Sequence, residues 1–377
     1  MKVETTQAFR SPLAVSLDET LLWLCEMESP IGEEEAICTA VADRLSRRAL
    51  AAPVRRYGNS IVVPVVRSWE ERPHVALVGH LDTVRTENGP ARIEGSRLYG
   101  AGASDMKSGL AVMIVLAETV SDAIGCDLTL VFYAREEGPF AENELGPVLD
   151  QDPDLRHVDM ALCLEPSDNK LHLGCMGSLH ATVRFDGRTS HSARPWEGDN
   201  AVYKAASLLA DVGALAPREV KIDGLTYRAT TSVTQARDGG RGRNVVPDVF
   251  TVNLNHRFTP DTTVAQAKAH VEALVAGRGA ITFIDESPAA MPHRDHPIVT
   301  KLSESGVRAV EPKQAWTDVA RFAALDIAAA NFGPGENAQA HQKNESTELA
   351  LVHQGYAILQ RWLMSLEPGD KAPKKQR

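Results

Sequence analysis

No run in this chain is apolar for long enough to cross a membrane as a helix, which takes about 20 residues. The opening residues MKVETTQAFRSPLAV hold no apolar core of the kind a secretory leader needs, so none is expected. Cysteine is scarce: Cys25, Cys38, Cys126, Cys163 and Cys175 are scattered, odd in number and never in a CxxC pair. That excludes a disulfide scaffold and a four-cysteine zinc knot, and leaves small buried side chains in a reducing compartment. Basic charge is also in deficit. Lys and Arg number 40 against 50 Asp and Glu, a formal net charge of -10, so a nucleic-acid backbone is not the expected partner. There is no internal repeat and no low-complexity tract. The cytoplasm is the expected compartment, with neither membrane nor nucleic acid as a partner.

The 377 residues allow two domains, since domains commonly run to about 100–200 residues. Ser16 and Glu19 have the spacing of a capping box and open a first helix. A second helix is expected over 33–50, where Ile37, Val41 and Leu45 share a face. Residues 61–66 read as a short strand, and Pro64 within it points to an edge or a bulge. Buried strands follow at 75–78, 128–134, 158–164 and 327–332, alternating with helices at 106–123 and 346–366. That alternation indicates an α/β sheet covered by helices on both faces. In such sheets ligands gather beyond the carboxyl ends of the strands. The tail from Pro368 is expected to be disordered.

From about Gly177 the texture changes. Residues 178–185 and 250–258 alternate polar and apolar, as half-buried antiparallel strands do. With helices at 200–212 and 264–276 and strands at 227–233 and 280–284, the order is β-α-β-β-α-β, that of a ferredoxin-like α+β unit. The expected organisation is a discontinuous α/β domain over 1–176 and 288–377, with 177–287 inserted as a lid or dimerisation domain.

Polar residues at the strand ends carry the chemistry. His80 and Asp82 close the first buried strand; positions i and i+2 share a side, so Asp82 can accept from the imidazole N–H that faces away from a metal. Asp105 lies among Gly100, Gly102 and Gly109 just before a helix; it could bridge two cations with its two oxygens, or simply cap that helix. Glu136 and Glu137 end the next strand as adjacent carboxylates, which repel unless cations or geometry relieve them. One would be a ligand and the other a general base on a metal-activated water. Glu165 ends a third strand, and His341 lies in a late loop of the same domain. Any one of these is unremarkable; their joint occurrence at the ends of separate elements of one sheet is not.

These segments carry a resemblance. GHLDTV, LYGAGASDMKSG, the Glu136–Glu137 pair, LEPS and AHQKNES resemble the dinuclear zinc amidohydrolases of the aminoacylase and carboxypeptidase superfamily, through essentially the whole chain. TSHSARPWEGDNA, GRNVVPD, NHRF, WTDVARFAAL and NFGPGENAQAH are similar to a subgroup that hydrolyses an N-succinyl amide in bacterial lysine biosynthesis. The resemblance implies a zinc-peptidase-like α/β/α domain with a mixed sheet. It implies one zinc on His80, Asp105 and Glu165 and another on Asp105, Glu137 and His341, with Asp105 as the bridge and the Asp105–Met106 peptide cis. Cobalt or manganese would suit similar ligands. Glu136 would be the general base and Asp82 the orienting carboxylate. His191, from the partner subunit of a homodimer, would stabilise the oxyanion. Asn244, Arg257, Arg194, Arg321, Gly333 and Gly335 are the implied binding residues for a small N-acyl amino-acid substrate. Ala101 and Ser108 depart from the pattern, where arginine and glycine are common; neither is a ligand. An N-acetylornithine deacetylase or another N-acyl-amino-acid hydrolase would use the same ligands, and a silent binding homologue would be expected to have lost some of them.

Overall fold

A computed structural model describes residues 17–68, 71–120 and 124–371. Ser16 of the expected capping box, the end of the expected 106–123 helix and the last six residues of the tail lie outside the described residues. Two compact units result: one of Met1–Leu173, His293–Glu311 and Arg321–Arg377, the other of Gly174–Pro292 and Pro312–Ala320. The segment 312–320, expected with the α/β domain, groups with the second unit. Gln314 donates from Nε2 to the Thr226 carbonyl at 2.9 Å, and Trp316 from Nε1 to that of Pro288 at 3.0 Å.

The first unit is organised by an eight-stranded sheet. Its order is Arg55–Tyr57, Ser60–Val66, Asp127–Tyr133, His74–His80, Met160–Cys163, Ala328–Asn331, Leu171–Leu173 and Val310–Pro312. His74–His80 runs parallel to both of its neighbours, and Ala328–Asn331 runs parallel to Met160–Cys163. Ser60–Val66 and Leu171–Leu173 flank this parallel block antiparallel, so the sheet is mixed. Pro64 sits where Ser60–Val66 slips register against Asp127–Tyr133, a place that needs no donor from it. The central strands Ser60–Val66, His74–His80 and Asp127–Tyr133 are buried at every position, which explains their unbroken Val, Leu and Ile runs. The helix Lys107–Thr119 is buried almost all round. It approaches the sheet so closely that a Cβ on Gly109 would lie 2.6 Å from the Leu164 carbonyl oxygen. Parallel strands end on one edge, so His80, the 134–137 turn, Glu165 and Gly333 all emerge there.

Sequence periodicity did not reveal a small sheet of Arg92–Glu94, Arg97–Tyr99 and Ser346–Glu348. It pairs segments about 250 residues apart, and three-residue strands have no legible period. Pro368–Asp370, expected as disordered tail, forms a short 3-10 turn capped by Glu367. Among the described residues no helix is long and apolar enough to cross a membrane.

The second unit is a five-stranded antiparallel sheet of order Arg218–Ile222, Leu225–Asp238, Val249–Phe258, Gly177–Asp186 and Ala280–Ser287. One strand more than expected comes from a hairpin. Ile222 pairs with Leu225, and Asp223 and Gly224 between them both have positive φ, 50° and 76°. Asp-Gly is the favoured chemistry for that two-residue turn, so the signal was present in the sequence. Helices Ala201–Gly213 and Val264–Val275 are capped by Asn200 and by a Thr263–Gln266 capping box. They bury Ala201, Ala205, Leu208, Ala267 and Val271 with Leu179, Ala181, Val183 and Phe185 of the sheet. Alternation turns His180, Thr182, Asn253, Asn255 and Arg257 to a cavity of 410 Å³, lined also by Thr234, Gln235 and Ile284.

Candidate metal centre

His80 is the last residue of its strand and is 1% exposed. Its Nε2 lies 3.3 Å from Oδ1 of Asp105. The other oxygen of Asp105, Oδ2, lies 3.5 Å from Nε2 of His341. His341 Nε2 is also 2.8 Å from Oε1 of Glu137. Donor atoms of His80, Asp105 and Glu165 lie within 4.8 Å of one another, as do those of Asp105, Glu137 and His341. A third set, His80 with Glu136 and Glu137, meets the same limit. One chain thus gathers two imidazoles and four carboxylates, with Asp105 facing both imidazoles. The Asp105–Met106 peptide is cis.

The electrostatics follow from this crowding. Burial alone would lower the His80 imidazole, but Asp105, Asp82, Glu165 and Glu136 hold it well above its ordinary value. Asp105 and Glu137 raise His341 to about 10. Burial works against the Asp105 carboxylate, yet the two histidines hold it below the usual range. The cluster is therefore a place where positive charge is in demand, and protons on the two histidines supply it when nothing else does.

Asp82 is placed differently from its expected role. His80 Nδ1 lies 3.0 Å from the Asp82 backbone carbonyl oxygen and 3.7 Å from its Oδ1. The carboxylate instead accepts the backbone N–H groups of Glu136 and Glu137, one on each oxygen, both at 3.0 Å. It holds the turn that presents the two glutamates. An i, i+2 argument could not find this, because the partners come from a neighbouring strand.

A second buried carboxylate escaped sequence reasoning altogether. Glu345, 3% exposed, accepts N–H from Gly102, Ser104 and Asp105, each at 2.8 Å. Burial pushes its carboxyl up to about 7 against the pull of those donors. Its only sequence signal was an acidic residue four places after His341 in a loop.

Gly333 and Gly335 have packing reasons of their own. A Cβ at Gly333 would lie 2.3 Å from the Leu164 carbonyl oxygen, and one at Gly335 would lie 2.2 Å from that of Ser104. Arg321 sits against the 136–146 segment: its guanidinium lies 3.8 Å from the Phe140 ring centre and donates to the Phe140 carbonyl. The second unit carries the remaining expected residues. His191 is exposed, and its Nδ1 accepts the Ala193 N–H at 3.0 Å, so neutral His191 carries its proton on Nε2. Ser192 N–H donates to the Asn244 carbonyl, which keeps His191 and Asn244 on adjoining segments. Arg194 is exposed and pairs with Glu197. Arg257 is half-buried beside Asn255, and burial lowers its guanidinium.

Comparison with known proteins agrees with this architecture. The model of peptidase family M20/M25/M40 matches residues 76–365. A putative succinyl-diaminopimelate desuccinylase of Mycobacterium tuberculosis is 38% identical over 342 residues, 90% of this chain and 96% of that protein. The succinyl-diaminopimelate desuccinylase of Corynebacterium glutamicum is 36% identical over 349 residues, 90% of this chain and 94% of that one. Among solved structures, an M20 family metallo-carboxypeptidase of Sulfolobus solfataricus superposes with a TM-score of 0.75 at 16% identity, covering 93% and 99% of the two chains. A dinuclear metal-binding M20 peptidase of Bacillus subtilis gives 0.66 at 12% identity, covering 92% and 96%.

Proposed function

The chain belongs to peptidase family M20/M25/M40, and we propose that it works there as a succinyl-diaminopimelate desuccinylase. It hydrolyses the amide of N-succinyl-LL-2,6-diaminopimelate to succinate and LL-2,6-diaminopimelate, a step of lysine biosynthesis, in the cytoplasm. The observation that carries the reading is Asp105, which directs one carboxylate oxygen to His80 and the other to His341.

Imidazole and carboxylate are the donors that zinc accepts, and cobalt and manganese take similar sets. His80, Asp105 and Glu165 would hold one ion; Asp105, Glu137 and His341 would hold the other. Such ions supply polarisation of the amide carbonyl and a water of lowered pKa. In this reading Glu136, although its carboxylate also comes within reach of His80 and Glu137, serves as the base and not as a ligand. It takes the proton of the attacking water as the C–O bond forms, and returns it to the amine nitrogen as the C–N bond breaks. Asp82 keeps Glu136 in place through the backbone N–H it accepts. His191 donates from Nε2 to the oxyanion, an effect commonly on the order of 10²–10³ in rate. In our reading 1–176 and 288–377, apart from the segment 312–320, form the catalytic domain. Residues 177–287 form the lid, through which two copies pair and deliver His191 to the partner's site. Arg257, Arg194 and Arg321 supply guanidinium forks for substrate carboxylates, and Asn244, Gly333 and Gly335 line the approach.

Protein loaded with zinc is expected to release succinate from N-succinyl-diaminopimelate far faster than acetate from N-acetylornithine; the reverse preference would reassign the substrate. Glu136→Gln is expected to bind two zinc ions and lose turnover. A Glu136→Gln protein with full turnover would refute the base assignment.

A further inference from the structure

We propose that Glu345 is a positioning residue of the metal centre, holding the backbone under Asp105 rigid and coupling it to the loop of His341. The inference rests on the ligand assignment above.

Asp105 has an exacting task, since its two oxygens must face two different imidazoles. Yet among the described residues the hydrogen-bond and ion-pair partners of its side chain are those two histidines. Histidines that turned their lone pairs to metal ions would no longer pair with Asp105, and the ions would hold its carboxylate directly. What presets that carboxylate for them is the backbone. That backbone is a tight loop in which Gly102 has φ +77, and a Cβ there would lie 2.8 Å from Thr83 Cγ2 and 3.0 Å from Lys107 Cδ. The N–H groups of Gly102, Ser104 and Asp105 converge on the Glu345 carboxylate: Gly102 donates to Oε2, and Ser104 and Asp105 to Oε1. Three fixed points leave a short segment no freedom to rotate. A buried carboxylate is costly without such donors, and charge-assisted bonds of this kind are about twice as strong as neutral ones.

The clamp is also tied to the second ligand loop. Glu345 lies four residues after His341. Its own N–H donates to Asn88 Oδ1 at 2.8 Å, and its carbonyl accepts from Gly100 N–H at 3.0 Å. Ser104 Oγ donates to the Ser346 carbonyl at 3.0 Å. The loop of the bridging carboxylate and the loop of the late histidine therefore move as one piece, which fixes the Asp105–His341 spacing.

Glu345→Gln tests this. Its single oxygen can keep Ser104 and Asp105, but its amide sets a donor against the Gly102 N–H. Zn²⁺ binding is measured by equilibrium dialysis, and Co²⁺ binding by its visible absorption. The unsubstituted chain and His341→Ala serve as references, expected to take up two ions and one. We expect Glu345→Gln to bind about tenfold to a hundredfold more weakly, with altered Co²⁺ bands and a lower kcat at unchanged KM. A Glu345→Gln protein with unchanged affinity, unchanged Co²⁺ bands and unchanged kcat would overturn the inference. If Glu345→Gln does not fold, Asn88→Ala, at a half-exposed site, is expected to weaken binding in the same direction; unchanged binding there overturns it equally. An unsubstituted chain that takes up no ion would instead overturn the ligand assignment.

Discussion

Replacing Asp82 by asparagine separates two accounts of the same residue. In one, the carboxylate acts on His80, fixing its tautomer and basicity. In the other, it acts on Glu136 and Glu137, whose N–H groups it accepts at 3.0 Å each. The distances favour the second, because His80 Nδ1 is 3.0 Å from the Asp82 backbone oxygen but 3.7 Å from its carboxylate. Asp82→Asn keeps that backbone contact. It retains one side-chain acceptor and turns an NH₂ toward the other N–H. One charge-assisted bond is lost, worth about 1.5–3 kcal/mol, at a side chain that is 0% exposed. If that energy holds the 136–137 turn, kcat falls roughly tenfold to a hundredfold. Steady-state turnover and zinc titration on one preparation distinguish the accounts. We expect kcat to fall and the ion shared by His80, Asp105 and Glu165 to bind within a few-fold of normal. Unchanged kcat with a loss of that ion on the scale of about tenfold to a hundredfold would restore the His80 account and refute ours.

Metal uptake should be strongly pH dependent. His341 is raised to about 10 and His80 is raised as well, so the metal-free protein holds protons there at neutrality and must release them to bind an ion. Affinity should climb between about pH 6 and pH 9, and calorimetry in buffers of different ionisation enthalpy should detect the released protons; no proton release would contradict the cluster. The stabilisation that these raised histidines give the metal-free fold has the opposite trend. It is fully present below their unfolded pKa near 6.5 and is lost as pH rises through the folded value, so base should lower its melting temperature. Gly335→Ala should destabilise the fold by about 1–3 kcal/mol, because its Cβ would meet the Ser104 carbonyl oxygen at 2.2 Å. A thermal midpoint unchanged from that of the unsubstituted chain would show that the loop yields freely.

Much of the centre was legible because buried parallel strands advertise themselves. Runs such as Val75–Val78 and Leu128–Phe132 leave few alternatives to a central strand. The polar residues that break them then fall on one edge by topology alone. His80, Glu136, Glu137 and Glu165 could be read in this way; Asp105 and His341 stood out as candidates in their loops, and the resemblance implied the bridge for one and a ligand role for the other. The alternation of the second unit was equally open, since one sheet face is covered by helices and the other lines a polar cavity. The Asp223–Gly224 hairpin is marked by its dipeptide alone.

The sequence by itself determined which side chains could bind a cation and which class of sheet would carry them. Period and composition are local, and a strand end is a local fact. Only the tertiary structure decided what holds those side chains. Asp82 serves Glu136 and Glu137 across a strand neighbour, and Glu345 serves Gly102, Ser104 and Asp105 across about 240 residues. A backbone N–H is identical at every such position, so no residue type marks where an acceptor must come to meet it. That pairing exists only once the chain has closed on itself.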